Sequence, residues 1–216
     1  VIYTHNGATY HKYENSDFAF VKGLVLSYKR NYKNGFSTTI DYTFQQAKGT
    51  ASDPFDAHNA QVSNQYPEIH IIPLNWDQRH TVNSTLYYDS RNWGIGIIGK
   101  LGSGQPYTPK INSSFATLAQ NSKNKPITWN VDLRAYWQIR IIENSKFYVN
   151  IFNVLDRLNH LNVYNDTGYA DRTLYLQEAL NQNTEQIVNS VDEWFQNETF
   201  YSSPRRIEIG FRIEFN

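Results

Sequence analysis

Apolar and polar side chains alternate along several stretches of the chain. From Phe36 to Phe44, every second residue except Thr38 is apolar or aromatic, and the residues between them are polar. The same alternation continues without a break through residues 127–141 and 206–215. A period of two is that of a β-strand, whose successive side chains point to opposite faces. These stretches therefore predict long strands with one apolar and one polar face.

Four weaker runs keep the same period, at residues 18–30, 80–88, 93–101 and 146–155. Together with the three clear runs they predict seven strands. An eighth strand is expected either at residues 1–3 or at residues 161–164, where short apolar stretches occur.

The connections between these strands alternate in length. Short turns are predicted at residues 31–34, 89–92 and 142–145, where Asn, Asp and Ser suit turn positions. The other connections are long and cover residues 47–77, 103–126 and 157–203. The last of them carries Ile187, Val191, Trp194 and Phe195 at near-helical spacing, which predicts one short helix packed against the rest of the molecule.

Composition narrows the class of protein. Aromatic residues make up 15% of the chain and charged residues 19%, and mean hydropathy is −0.61. No stretch approaches the roughly 20 apolar residues that a membrane-spanning helix needs. Twenty basic residues balance twenty acidic ones, which argues against binding to nucleic acid. The chain has no Cys, and we expect no disulfide and no cofactor.

The alternation alone does not say which medium the apolar face contacts. The interior of a soluble barrel of about eight strands is just wide enough for side chains to fill, and so many Trp and Phe would overfill it. We therefore expect the apolar face to contact lipid, with aromatic residues near both interfaces. A soluble two-sheet sandwich with these aromatics in its core remains the alternative.

Charged residues occupy the other face of the predicted strands. An Arg or Lys facing lipid at the bilayer midplane would cost about 2–4 kcal/mol. The charged set is therefore predicted to line the barrel lumen, and it comprises Asp132, Arg134, Arg140, Arg206, Glu208, Arg212 and Glu214.

Four local motifs resemble those of the TonB-dependent receptors of bacterial outer membranes. The first is the strand, turn and strand of residues 17–42, and the most specific is NWDQRHTVN at residues 75–83. The others are LGSGQPYTP at residues 101–109 and VNIFNVLDRLN at residues 149–159, and the ending PRRIEIGFRIEFN is similar to the family's last strand. The motif residues carried over are Trp76, Asp77, Gln78, Arg79, His80, Ser103, Gly104, Pro106, Tyr107, Asn153, Asp156 and Asn159.

The resemblance implies an all-β fold, a transmembrane antiparallel β-barrel of about 22 strands with a plugged lumen. Residues 1–216 would be its C-terminal seven or eight strands, with short periplasmic turns, long extracellular loops and no plug domain. Seven or eight strands cannot close so wide a barrel, so we expect a fragment or a chain that another chain completes. Phe211, Ile213 and Phe215 are expected to act as the signal read by the barrel-assembly machinery.

The function implied is uptake of a scarce ligand of siderophore, cobalamin, glycan or peptide class, with energy relayed by the TonB complex. The three long loops are the expected ligand surface. A passive outer-membrane channel or adhesin, and a soluble β-rich binding module, are the alternatives.

Other chemistry has weaker support. Asp77, Arg79 and His80 could form an acid-base site, but no nucleophile stands at a defined spacing and no enzyme is predicted. His58, Glu68 and His70 match no known metal-ligand spacing. The glycines of residues 94–104 alternate within a strand rather than forming a phosphate loop before a helix.

Overall fold

A computed structural model describes residues 2–11, 17–52, 70–110, 120–139, 145–182 and 195–213, with the single positions 55, 58, 62 and 193. The fold is all-β. Its strands are β1 (Ile2–His5), β2 (Ala8–His11), β3 (Ala19–Asn31), β4 (Phe36–Gly49), β5 (Ile72–Pro73), β6 (His80–Asp89), β7 (Trp93–Gly102), β8 (Pro106–Tyr107), β9 (Lys123–Asn124), β10 (Thr128–Ile139), β11 (Ser145–Phe152) and β12 (Arg206–Ile213).

One antiparallel sheet contains all seven long strands, in the order β12-β11-β10-β7-β6-β4-β3. Each long strand therefore lies beside its sequence neighbours, as in an up-and-down meander. The short β5 pairs with the end of β4, while β1–β2 and β8–β9 form two separate hairpins. Among the described residues, β3 and β12 each have one hydrogen-bonded neighbour strand.

The seven predicted strands are confirmed, with shifted bounds. β4 runs on to Gly49, and β11 ends at Phe152 because Asn153 adopts a left-handed backbone with φ 53° that a strand cannot continue. Val1 is not described, but residues 2–5 form β1 in a separate hairpin rather than an eighth strand of the sheet, and residues 161–164 form no strand.

Helix is scarce in the described chain. An α-helix, α1 (Leu174–Gln182), and a 3-10 turn (Glu198–Phe200) both lie in the last long connection. The helix predicted around residues 187–195 falls mostly outside the described residues, and α1 lies before it in a segment for which the sequence predicted no helix. Within the described chain, no helix is both long and apolar enough to cross a membrane.

The pairing register places most apolar positions of the seven long strands on one face of the sheet. Leu86 pairs with Thr38 and Ile97, Ile97 with Leu133, and the row continues through β11 to β12. We call this surface the apolar face. Many of its large side chains are at least 36% exposed, namely Leu24, Leu26, Tyr28, Phe36, Ile40, Phe44, Leu86, Trp93, Ile95, Ile97, Leu101, Trp137, Phe147, Ile207, Ile209, Phe211 and Ile213.

The opposite surface, the polar face, is the more enclosed of the two along β7 and part of β4. In β7, Gly94 and Gly96 on the polar face are buried, whereas Trp93, Ile95 and Ile97 between and beside them are exposed. β4 follows the same rule, with Phe36, Ile40 and Phe44 exposed and the polar-face residues between them partly buried. β3 is less regular, because Val21 and Val25 also lie on the polar face. In β7 and β4 the burial is the reverse of that in a sheet resting on a soluble core. β3 and β12 are exposed on both faces, and β11 is more exposed on its polar face.

The apolar core of the described chain is small and lies at one end of the sheet. Its buried hydrophobic residues are Ala47, Ile72, Leu74, Tyr107 and Ala170, which come from the end of β4 and from the three long connections. None of them belongs to the apolar face. The core therefore stabilises the loops and leaves that face uncovered by any described residue.

Candidate functional site

The residues of the family motifs gather at the end of the sheet that carries the long connections. This end, the loop end, comprises the ends of β4, β7 and β11 and the beginnings of β6, β10 and β12. The motif residues hold the long connections to the strands in three clusters of hydrogen bonds.

The first cluster joins the first long connection to β4. Asp77 is 1% exposed, and its Oδ1 accepts a hydrogen bond from the Ala47 amide at 2.7 Å. Its Oδ2 forms an ion pair with Arg79 Nε at 2.7 Å, while the Arg79 carbonyl accepts from the Gln45 amide. Both carboxylate oxygens of Asp77 are thus engaged, which gives this residue a structural role.

Gln78 and His80 tie β6 to the end of β7. Gln78 Nε2 donates to the Ser103 carbonyl at 3.0 Å, and the His80 amide donates to Ser103 Oγ at 3.0 Å. The His80 ring lies beside Tyr42, whose hydroxyl is 2.9 Å from its Nδ1. Trp76 is 42% exposed beside this cluster.

The second cluster is built around Gly104. A Cβ on Gly104 would overlap the Lys125 carbonyl oxygen, so the two backbone segments approach as closely as only glycine permits. Pro106 and Tyr107 then pair with Asn124 and Lys123 in the β8–β9 hairpin. Burial raises the pKa of the Tyr107 hydroxyl, and its ring packs against Gly168 of the last connection.

The third cluster closes the last connection. Asn153 Nδ2 donates to the carbonyls of Arg157 and Ser203, and its Oδ1 accepts from the Arg157 amide at 2.9 Å. Asp156 Oδ1 accepts from the Arg205 amide at 2.7 Å. Asn159 bridges the Trp129 amide and carbonyl, both at 2.9 Å.

The three long connections also contact one another. Asn121 Nδ2 donates to the Pro73 carbonyl at 2.9 Å, and the Lys110 amide donates to the Asn165 carbonyl at 2.9 Å. Lys125 Nζ donates to the Leu161 carbonyl at 2.7 Å, and burial lowers the pKa of that ammonium group. The loop end is therefore a packed layer and not a set of separate loops.

The predicted lumen residues that the structure describes all lie on the polar face. Asp132 is 8% exposed and accepts hydrogen bonds from the Asn153 amide and from Asn130 Nδ2. Arg134 stands opposite Asn150, which stands opposite Glu208 on the next strand, and Arg212 stands opposite Lys146. Arg206 forms an ion pair with Glu208 at 3.1 Å. Arg140 and Glu214 lie outside the described residues.

Of the expected assembly signal, Phe211 and Ile213 lie on the apolar face of β12, and Phe215 lies outside the described residues. The possible metal site of His58, Glu68 and His70 lies partly outside the described residues, because Glu68 is not described. Among the described residues, no group of three His, Asp or Glu residues could hold a metal ion.

Sequence reasoning missed a set of tyrosines on the polar face. Tyr87, Tyr136 and Tyr148 lie opposite Gly96, Gly94 and Gly210 on the neighbouring strands. Their rings cover the glycines, because a Cβ on any of these would meet a tyrosine ring atom within 2.7 Å. The Tyr136 hydroxyl also donates to Asp89. Finding this set requires the pairing register, which the sequence does not state.

A scan against protein-family models finds no match for the chain, and searches of curated proteins and of solved structures find none either.

Proposed function

We propose that this chain is part of a bacterial outer-membrane β-barrel that takes up a scarce ligand across the membrane, as TonB-dependent receptors do. The observation that carries the proposal is the continuous exposed apolar face of the sheet, which no described residue covers. Exposed apolar patches of more than a few hundred Å2 are rare on soluble monomers. Lipid is the medium in which such a face is stable.

The two ends of the sheet support the same proposal. One end carries short connections such as residues 32–35 and 90–92, and the other carries the packed loop end. Outer-membrane barrels have short periplasmic turns and longer extracellular loops. The loop end would then face outwards and form the ligand surface.

β3 and β12 are the edge strands of the described sheet, and each has one hydrogen-bonded neighbour. The proposal therefore requires further strands. Unpaired strand edges at membrane depth cost several kcal/mol for each unsatisfied backbone group. Strands from outside residues 1–216 would therefore complete the barrel, and a plug domain would contact the TonB complex.

The orientation of the sheet is tested by cysteine labelling, for which a chain without Cys is well suited. Leu86→Cys and Thr85→Cys place a thiol at adjacent, exposed positions of β6 on opposite faces. In the full protein in native outer membrane, we expect the Leu86→Cys thiol to react with a lipid-soluble maleimide and to resist a charged one. Rapid reaction of this thiol with the charged reagent would contradict lipid contact and favour a soluble β-rich module.

The transport mechanism needs a separate experiment. A receptor closed by a plug should pass no current when the full protein is inserted into a planar bilayer, and it should bind the periplasmic domain of TonB. Steady ion conductance without TonB binding would instead support the passive channel.

A further inference from the structure

A cavity of about 640 Å3 opens on the polar face, towards the end of the sheet with the short turns. Its walls come from the adjacent strands β10, β11 and β12 and from β6, which is separated from β10 by β7. Its size falls within the range of pockets that hold small molecules, roughly 300–1,000 Å3. The side chains that define it are Tyr87, Tyr136, Tyr148, Arg134, Lys146 and Arg212.

The tyrosine walls are held in place by the sheet. Each ring lies over the glycine opposite it, where a side chain would leave no room. Tyr136 is fixed further by its hydrogen bond to Asp89 and by the Lys146 ammonium group 5.7 Å from its ring centre. The aromatic surfaces are therefore rigid and available for a flat group to pack against.

The charge of the cavity is positive. Arg134, Lys146 and Arg212 line it, and among the residues that the structure describes no carboxylate does. Asp89 lies beside the cavity wall, where it accepts a hydrogen bond from Tyr136, and Glu208 pairs with Arg206. The three cationic side chains outnumber the one carboxylate held at the wall. Within the part of the chain that the structure describes, Arg134 and Lys146 form no ion pair.

We propose that this cavity binds an anion that carries carboxylate or phosphate groups, with Arg134 and Lys146 as its charged contacts and the tyrosine rings as its walls. Arg suits such groups because its planar guanidinium can donate two parallel hydrogen bonds to them. The anionic group could come from a free small molecule or from acidic side chains elsewhere in the same protein. The charged and tyrosine side chains that line the cavity all lie on the polar face, so the inference does not require the membrane location.

The first arm of the test measures binding of citrate and of inorganic phosphate to the full protein by calorimetry at low salt. We expect the double variant Arg134→Gln, Lys146→Gln to weaken binding roughly tenfold or more. Lys146→Arg should retain most of the affinity because it keeps the charge. Lys100→Gln, on the same face near the loop end, is the matched control and should bind as the unaltered protein does.

The second arm identifies an internal source of the anion. If acidic side chains of the same protein fill the cavity, the unaltered protein should bind neither citrate nor phosphate, and the double variant should melt at a lower temperature than Lys100→Gln at low salt. High salt should narrow that difference. The proposal is overturned if neither anion binds and the two variants melt alike, or if Lys100→Gln weakens anion binding as much as the double variant does.

Discussion

Single residues at the loop end act through backbone geometry more than through side-chain chemistry. Gly104 permits the contact with the Lys125 carbonyl, and Asn153 turns the chain with φ 53° while its amide holds two carbonyls. The carboxylate of Asp77 could suggest acid-base chemistry, but one of its oxygens accepts a backbone hydrogen bond and the other forms an ion pair with an arginine. The motifs thus encode how loops are anchored to the sheet.

Gly104→Ala should destabilise the protein by about 2 kcal/mol or more, since the added methyl group meets a backbone oxygen that cannot rotate away. The measurement is the temperature at which the full protein loses its folded, fast-migrating form on a gel. Gly99→Ala is the control, because its methyl group would meet only the rotatable Ser84 hydroxyl. Equal melting temperatures for the two variants would contradict the prediction.

Variants at Asn153 separate its conformation from its hydrogen bonds. Asn153→Ala loses both, and we expect a cost of roughly 3 kcal/mol from the orphaned buried groups and the left-handed backbone. Asn153→Gly should recover about 1 kcal/mol, because glycine adopts positive φ without strain. Urea unfolding of the full protein measures the stability of both variants. If Asn153→Gly is no more stable than Asn153→Ala, the left-handed backbone at this position does not contribute to the cost.

At the scale of elements, β12 is the strand whose two faces are most sharply divided. Ile207, Ile209, Phe211 and Ile213 lie on the apolar face, and Arg206, Glu208 and Arg212 lie on the other. Its pairing with β11 leaves its second edge without a described partner. A strand of this kind suits recognition during barrel assembly, under the proposed function.

Removal of residues 212–216 should lower the level of the full protein in the outer membrane several-fold, because it takes Ile213 and Phe215 from the proposed signal. The measurement is immunoblotting of fractionated outer membranes. Arg212→Gln, which leaves the apolar side chains in place, is the control and should insert normally. Unchanged insertion of the truncated protein would remove the assembly role from this segment.

At the scale of the molecule, the buried apolar side chains of the described chain lie at the loop end, away from the apolar face. Under the proposed function, lipid covers that face. Arginine substitutions at two adjacent positions of β6 test whether that face contacts lipid or water, because a charged side chain is costly only in lipid. This test does not depend on the labelling experiment.

Leu86→Arg should sharply reduce folded protein in the outer membrane, because an arginine facing lipid near the midplane costs about 2–4 kcal/mol. Thr85→Arg, one residue away on the polar face and also exposed, should be tolerated. Heat-modifiable protein in membrane fractions measures both. Similar yields from the two variants would place the apolar face in water.

Much of the fold followed from period-two alternation, because one face of every long strand must differ from the other. That pattern predicted the seven strands, and with them the alternation of short turns and long loops between the strands. It missed α1, although Tyr175, Leu176, Ala179 and Leu180 stand at helical spacing. It also placed the end of β11 three residues late, because the turn at Asn153 depends on a hydrogen bond to a residue distant in the chain.

The sequence by itself determined the strands, their two faces and the positions of the charged residues, since these depend on local geometry. Only the tertiary structure decided which residues stand opposite one another across the sheet. That register brings Tyr87, Tyr136 and Tyr148 over glycines and joins Arg134 and Lys146 in one cavity. Register is set by pairing between strands far apart in sequence, so no single stretch of the chain encodes it.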